Sequence, residues 1–506
     1  MKRLAFSARD LLLVFGVILL FMVAFALPII RSYYPFSDIA DCSGFLSVHL
    51  LLFGIIWLIL RMVTHSNDRS RLGLVLLLIV YFFFSAFHDA VNDLFPDSFL
   101  KRYKFQLPAL CVFLTIGFYI ILRSGSRSAG AWRYFTVVVM IFSGLQLIQL
   151  FGQILGKNNS GTVGLQSHSR KPESGSVVEK RPDIYLIIVD ELAGSSSLQR
   201  YYGIDNSSLD SGLAEKGFQV LPHSRSNYYW THFSVASLLN MDLLEVPGRK
   251  ALVYDDYLSA MRLMQNNRLM NYLGNNDYSF YAYSSFMEKG LRPAVRTSFQ
   301  PRLLTALKEN TLPGKILKDI GFHFWESDPV KTLYSQQQQL EAYHTWVKEE
   351  TLRSAGGTHK KPFMVYSHLF IAHEPFLHDS LGALRLPELQ LRDTTRAQKV
   401  AAYGSNLQYV NRELSSFADS LLQRTNGAAI IIIAGDHGFR PEFDQGYGMQ
   451  YFDNFCAVYL PDPIRRPLPD STTLVNLFPS IFNTSLGQKL PLMPDSTIFL
   501  YDKVEK

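Results

Sequence analysis

Two apolar runs in this sequence end on an aspartate. IYLIIV (184–189) is followed by Asp190 and Glu191, and AAIIIIA (428–434) by Gly435-Asp436-His437-Gly438. A third run, PFMVYSHLF (362–370), carries His368, and His373 follows five residues later. Two carboxylates and a histidine brought to one place suit a divalent cation of the zinc or manganese kind. Each residue has an ordinary alternative. An aspartate ending a strand is often a turn former or a helix cap, and a histidine inside a strand is more often a satisfied core residue. The metal reading rests on their joint occurrence.

A hydroxyl stands at another telling place. In NYYWTHFSVASLLNM (227–241), Thr231 precedes an amphipathic stretch with small residues at Ser234, Ala236 and Ser237. This predicts a helix whose exposed first N–H groups favour an anion such as phosphate. A threonine hydroxyl is a poor nucleophile unless deprotonated, and a metal ion beside it supplies that activation. The plainer reading of Thr231 is an N-cap.

These residues need a scaffold. Apolar strand-length runs at 184–189, 218–221, 278–283, 362–370, 428–434 and 454–460 alternate with helical patterns at 234–240, 255–273, 333–353 and 394–424. Continuous apolar strands between helices predict an α/β sandwich with a buried, mostly parallel sheet. In such sheets the chemistry gathers beyond the carboxyl ends of the strands.

The first 155 residues differ sharply. Residues 11–30 carry no charge, and apolar runs follow at 44–60, 73–88, 107–122 and 134–155. At ~1.5 Å per residue, about 20 residues cross a ~30 Å hydrocarbon core, so about five transmembrane spans are predicted. Gln146, Gln149 and Gln153 share one face of the last run, which predicts contact with other helices or with the outer domain; an amphipathic helix lying on the surface is the alternative. Basic residues cluster at Lys2, Arg3 and Arg9, at Arg61, Arg69 and Arg71, and at Arg123, Arg127 and Arg133. That bias predicts a cytoplasmic N-terminus, which puts everything after residue 156 outside. Ala24-Phe25-Ala26 resembles a signal-peptide cleavage site; cleavage there would still leave the domain outside. The expected division is a transmembrane domain (1–156), a polar linker (157–181) and an extracytoplasmic catalytic domain (182–506).

The chain has 506 residues, a formal charge of +6 and three cysteines, Cys42, Cys111 and Cys456. The mild charge gives no reason to expect a nucleic-acid partner, and three cysteines exclude a disulfide framework or a cysteine-built zinc site.

PDIYLIIVDE, NYYWTHFSVASLLNM, HLFIAHEPF and IIIIAGDHGFR occur in the order seen in the alkaline phosphatase superfamily. The chain resembles its membrane-anchored, sulfatase-like branch, which includes lipoteichoic acid synthases and lipid A phosphoethanolamine transferases. The resemblance covers residues 180–465 by motif and the N-terminal part by layout. It implies an alkaline-phosphatase-like sandwich in which Asp190, Thr231, Asp436 and His437 hold the metal. Thr231 would be the nucleophile, and His373 would bind the phosphoryl group or a second metal. His368 has the spacing of a further such histidine, Glu191 of a second acidic ligand, and Arg440 of a phosphate contact or a salt bridge. Two departures stand out. The Thr231-His-Phe-Ser-Val segment lacks the proline and arginine that formylglycine sulfatases need, and Cys456 is alone where lipid A enzymes carry several disulfides.

The expected function is a metal-dependent transfer of phosphoethanolamine or phosphoglycerol from a phospholipid donor to an envelope glycan or lipid acceptor. A phosphorylated threonine would be the intermediate, at the outer (periplasmic or extracellular) face of a bacterial cytoplasmic membrane. The alternatives are a membrane-tethered phosphodiesterase or phosphatase using the same residues with water, and a non-catalytic scaffold for envelope assembly.

Overall fold

The computed structural model describes residues 7–33, 42–95, 98–125, 127–154, 164–165, 181–245, 252, 254–286, 303–321, 329–357, 359–385, 395–441 and 448–500. Most of the predicted linker, 157–181, lies outside them. The chain divides into two units, Met1–Ser160 with Pro301–Ser327, and Gly161–Gln300 with Asp328–Lys506.

In the first unit, α1 (Ala8–Tyr33), α2 (Ser43–Thr64), α3 (Asn67–Leu94), α4 (Tyr103–Arg123) and α5 (Arg127–Ile154) cover the five predicted spans. All five are long and apolar enough to cross a membrane. Phe21 and Phe25 of α1, Phe53 and Trp57 of α2, and Leu74 and Phe82 of α3 form a common core. Gln149, from the polar stripe of α5, accepts a hydrogen bond from Arg31. Two short helices, α6 (Leu303–Glu309) and α7 (Leu312–Ile320), belong to this unit although the sequence division puts them in the outer domain. Leu303 and Leu307 enter the helical core, the Asn310 carboxamide oxygen accepts from Ser85 Oγ at 3.1 Å, and Asp319 accepts from the Tyr103 hydroxyl at 2.6 Å. Helices this short do not stand alone in water, so burial of their apolar face decides where they go.

The second unit is built on a six-stranded mixed sheet with mostly parallel strands. In chain order these are β1 (Ile184–Val189), β2 (Gln219–Val220), β3 (Ser279–Tyr283), β4 (Phe363–Leu369), β5 (Ile430–Gly435) and β6 (Cys456–Tyr459). The spatial order is β2-β6-β5-β1-β4-β3. β1 pairs in parallel with both β4 and β5, β3 pairs in parallel with β4, and the β2 and β6 edge is antiparallel. Every residue of β1, β4 and β5 is buried, as unbroken apolar runs require when helices cover both faces. All six predicted strands are present. The helical pattern at 255–273 is two helices, Tyr254–Gln265 and Arg268–Asn275, because the Asn267 side chain caps the second by accepting from Met270 N.

Register brings the chemistry together. Val189 lies opposite both Leu369 and Gly435, and Ile188 opposite His368. Asp190 and Asp436 therefore leave adjacent parallel strands at the same level, with His368 on the other side of β1.

Candidate active site

Backbone geometry explains the glycines of the GDHG segment. A Cβ on Gly435 would sit 2.0 Å from the Leu192 carbonyl oxygen, and one on Gly438 would sit 2.1 Å from that of Gln450. Only glycine admits such approaches. Glu191 adopts φ +63°, a left-handed conformation uncommon outside glycine and costly for a non-glycine residue. The turn aims its N–H at Asp436 Oδ1, 3.0 Å away. Tyr403 holds the same turn by donating to Glu191 O at 2.9 Å while accepting from Ala193 N at 3.3 Å.

Thr231 is the first residue of the helix Thr231–Asn240, and Trp230 is its N-cap with no side-chain capping bond. The Thr231 hydroxyl is thus not the helix cap. It points instead at the carboxyl edge of the sheet, 3.4 Å from Asp190 Oδ2 and 3.3 Å from His437 Nε2. Ser234, one turn on, fixes the helix there by donating to the Asp436 carbonyl at 2.5 Å. Thr231 keeps 7% of its surface exposed, whereas Asp436 and His437 have none.

The cluster is a set of acceptors without enough protons. His437 Nδ1 lies 2.9 Å from Gly438 O, an atom that can only accept, so Nδ1 carries the hydrogen. His437 Nε2 faces Asp190 Oδ1 and Asp436 Oδ2, each 3.4 Å away. Among the described residues, Asp190 Oδ1, Asp436 Oδ2 and His368 Nε2 are buried with no hydrogen-bond partner. Donor atoms of Asp190, His368 and Asp436 lie within 4.8 Å of one another. Buried unpaired acceptors of this kind are costly, and a divalent cation satisfies all of them at once. The donor set of carboxylate, imidazole and hydroxyl oxygen fits zinc or manganese.

His368, expected beside the substrate, is thereby brought into the ligand cluster. Its ring is enclosed by Phe286 and Phe370, with centroids at 5.0 and 4.9 Å. His373 is half-buried and donates from Nδ1 to Glu374 O at 2.5 Å. Burial pushes its pKa down, but the carboxylates of Asp190 and Glu191 outweigh that and hold it above the ordinary histidine value. Asp190 shows the converse: burial pushes it up, yet His373, His368 and His437 hold it well below the usual carboxylate range.

Glu191 and Arg440, read from the sequence as an acidic ligand and a phosphate contact, are given to each other. Glu191 Oε1 accepts from Arg440 N at 2.9 Å and faces its Nε at 3.6 Å. The guanidinium also donates to Tyr229 O at 2.7 Å and lies 5.0 Å from the centroid of the Trp230 ring. Both side chains are buried, so this is no surface salt bridge.

His232 escaped the sequence reading, although it sits next to Thr231. Its half-buried ring packs edge-on to Tyr257 and Phe286. Burial lowers its pKa to about 4, with His368 adding to the shift and Asp190 opposing it. That shift favours a neutral imidazole beside the Thr231 hydroxyl.

No family model matches the chain, and no curated protein does. Solved structures do. The integral membrane lipooligosaccharide phosphoethanolamine transferase A from Neisseria meningitidis is 12% identical, with 95% of each chain covered and a TM-score of 0.34. The C-terminal periplasmic domain of EptC from Escherichia coli, solved with zinc, is 12% identical over 64% of this chain and 87% of that one, at a TM-score of 0.36. Ps i-CgsB, solved with a neocarrahexaose, is 14% identical over 63% and 75%, at 0.37. At such identity and TM-score the likeness assigns no activity.

Proposed function

We propose that this protein is a metal-dependent phosphotransferase that moves a phosphoethanolamine or phosphoglycerol group from a phospholipid to an envelope glycan or lipid. The observation that carries the reading is the Thr231 hydroxyl, at a helix N-terminus, within 3.4 Å of both Asp190 Oδ2 and His437 Nε2. Asp190, Thr231, Asp436 and His437 would hold a divalent cation, zinc or manganese, with His368 beside them. Such an ion supplies a lowered pKa for the hydroxyl and polarisation of a phosphoryl oxygen.

Thr231 Oγ attacks the phosphorus of the donor head group. The Oγ–P bond forms, the bond from phosphorus to the diacylglycerol oxygen breaks, and that oxygen takes a proton as diacylglycerol leaves. His373, whose pKa the neighbouring carboxylates of Asp190 and Glu191 raise, supplies this proton from its imidazolium form and recovers it from the acceptor hydroxyl. The acceptor oxygen then attacks the phosphothreonine, and Thr231 Oγ departs as the alkoxide in which it entered, so the one proton moved in the cycle passes from acceptor to diacylglycerol through His373. The N–H groups opening the helix stabilise charge on the equatorial oxygens in both steps. Five apolar helices keep the site at the surface that contains the donor, which raises its effective concentration. This reading puts the second unit on the outer face of a bacterial cytoplasmic membrane.

The test is turnover of head-group-labelled phospholipid by the purified full-length protein with envelope glycolipid present. Label on the glycolipid supports transfer, free head group alone makes the protein a hydrolase, and neither product leaves a scaffold. Thr231→Ala should abolish either product.

A further inference from the structure

His368 is a ligand only if its Nε2 is unprotonated, and the structure contains a group that decides this. Tyr366 and His368 are two apart on β4, so their side chains share a face of the sheet. The Tyr366 hydroxyl lies 2.7 Å from His368 Nδ1. Tyr343 anchors the same residue from the main chain, donating to His368 O at 2.8 Å. Phe286 and Phe370 hold the ring plane. The ring then has one free variable, the position of its proton.

A phenol can donate or accept. If Tyr366 donates to Nδ1, the proton of the neutral imidazole sits on Nε2, which faces Asp190 Oδ2 at 3.9 Å as a donor. If Nδ1–H donates to Tyr366, Nε2 is a lone pair directed at the carboxylate cluster. The second state frees the phenol's own hydrogen, which no longer points at the imidazole. We infer that Tyr366 is a positioning residue of the metal centre: its oxygen takes the Nδ1 hydrogen of His368 and leaves Nε2 as a ligand atom. This rests on the metal reading above. A histidine ligand whose other nitrogen bonds an oxygen acceptor is the general arrangement at metal sites. Here the acceptor is a tyrosine that can reverse the bond, so His368 can change from donor to ligand as the ion arrives without moving its ring.

The experiment is a zinc titration of the chelator-stripped full-length protein against a chromophoric competitor. Tyr366→Phe removes one oxygen and should weaken zinc about 10–100-fold. In a His368→Gln background the same change should cost nothing further, because the residue acts through His368. A second readout uses the unaltered chain: carbon-13 shifts of the His368 ring should place its proton on Nδ1 once zinc is bound. Zinc affinity within twofold of wild type in Tyr366→Phe, or a proton on Nε2 in the zinc-loaded protein, overturns the inference. Asp436→Ala separates the two layers. Zinc lost there but kept in Tyr366→Phe removes the positioning role alone, whereas zinc kept in both removes the metal centre beneath it.

Discussion

Replacing Asp436 with asparagine should stabilise the metal-free protein and lose that advantage once metal is bound. Asparagine preserves the shape of the side chain, and its Oδ1 can still accept from Glu191 N as Asp436 Oδ1 does at 3.0 Å. What changes is the second atom, Oδ2, which has no hydrogen-bond partner and faces His437 Nε2 at 3.4 Å. Without metal, Asp436 and Asp190 place carboxylate oxygens within 4.8 Å of each other. At an effective dielectric near 20, two like charges that close repel by about 3 kcal/mol. Asp436→Asn removes that repulsion and puts an amide donor among acceptors, so the metal-free variant should melt several degrees above wild type. With metal that advantage is offset. If four ligands share about 10–16 kcal/mol of zinc binding, losing one costs about 3 kcal/mol, or about a hundredfold in affinity. At a zinc concentration 1,000 times the wild-type Kd, wild type gains about 4 kcal/mol and the variant about 1.4. Paired thermal melts should therefore put the variant above wild type in chelator and level with it in zinc. A variant that is less stable in chelator and gains as much as wild type from zinc would refute the acceptor-cluster reasoning.

Three further outcomes follow from the same geometry. Zinc uptake near neutral pH should release protons, because the ion neutralises Asp190, one of the two carboxylates that hold the proton on His373; calorimetry in buffers of different ionisation enthalpy reads this, and His373→Gln should lower the count. The linkage has a definite sign: with its folded pKa raised, His373 stabilises the metal-free fold below the ordinary histidine value and loses that contribution as pH rises through the raised one. A pH series of chelator melts in which His373→Gln matches wild type throughout would contradict it. Arg440→Ala leaves the Glu191 carboxylate buried with only the Arg440 N–H as partner, and should cost about 3 kcal/mol in denaturant unfolding; an unchanged midpoint would show that the pair is incidental.

Much of this was legible in the chain. The six strands announce themselves as β-branched or aromatic runs, and because Asp190, His368 and Asp436 sit at or just beyond strand ends, a parallel sheet had to bring them near one another. The five helices are equally plain from length and lack of charge. What the sequence could not display depends on turns and on contacts across the sheet. Glu191 reads as a ligand because it follows Asp190, yet a left-handed turn sends its N–H to Asp436 and its carboxylate to Arg440. Arg440 reads as a phosphate contact or a surface salt bridge, and burial against Trp230 makes it a tie inside the fold. Tyr366 passes for one more apolar residue of β4 until its hydroxyl is seen at His368. The segment 301–327 has no compositional break to show that it joins the N-terminal helices. His232 was available from its position beside Thr231, and a closer look at the nucleophile's neighbours would have found it.

Mass measurement of the peptide containing Thr231, taken from the zinc-loaded protein after exposure to phospholipid without acceptor, bears on the nucleophile itself. If the Thr231 hydroxyl, 3.3 Å from His437 Nε2, is the proposed nucleophile, a phosphoryl head group should be found covalently attached to Thr231 and lost when acceptor is added. An unmodified Thr231 in a preparation that continues to turn over phospholipid would contradict it.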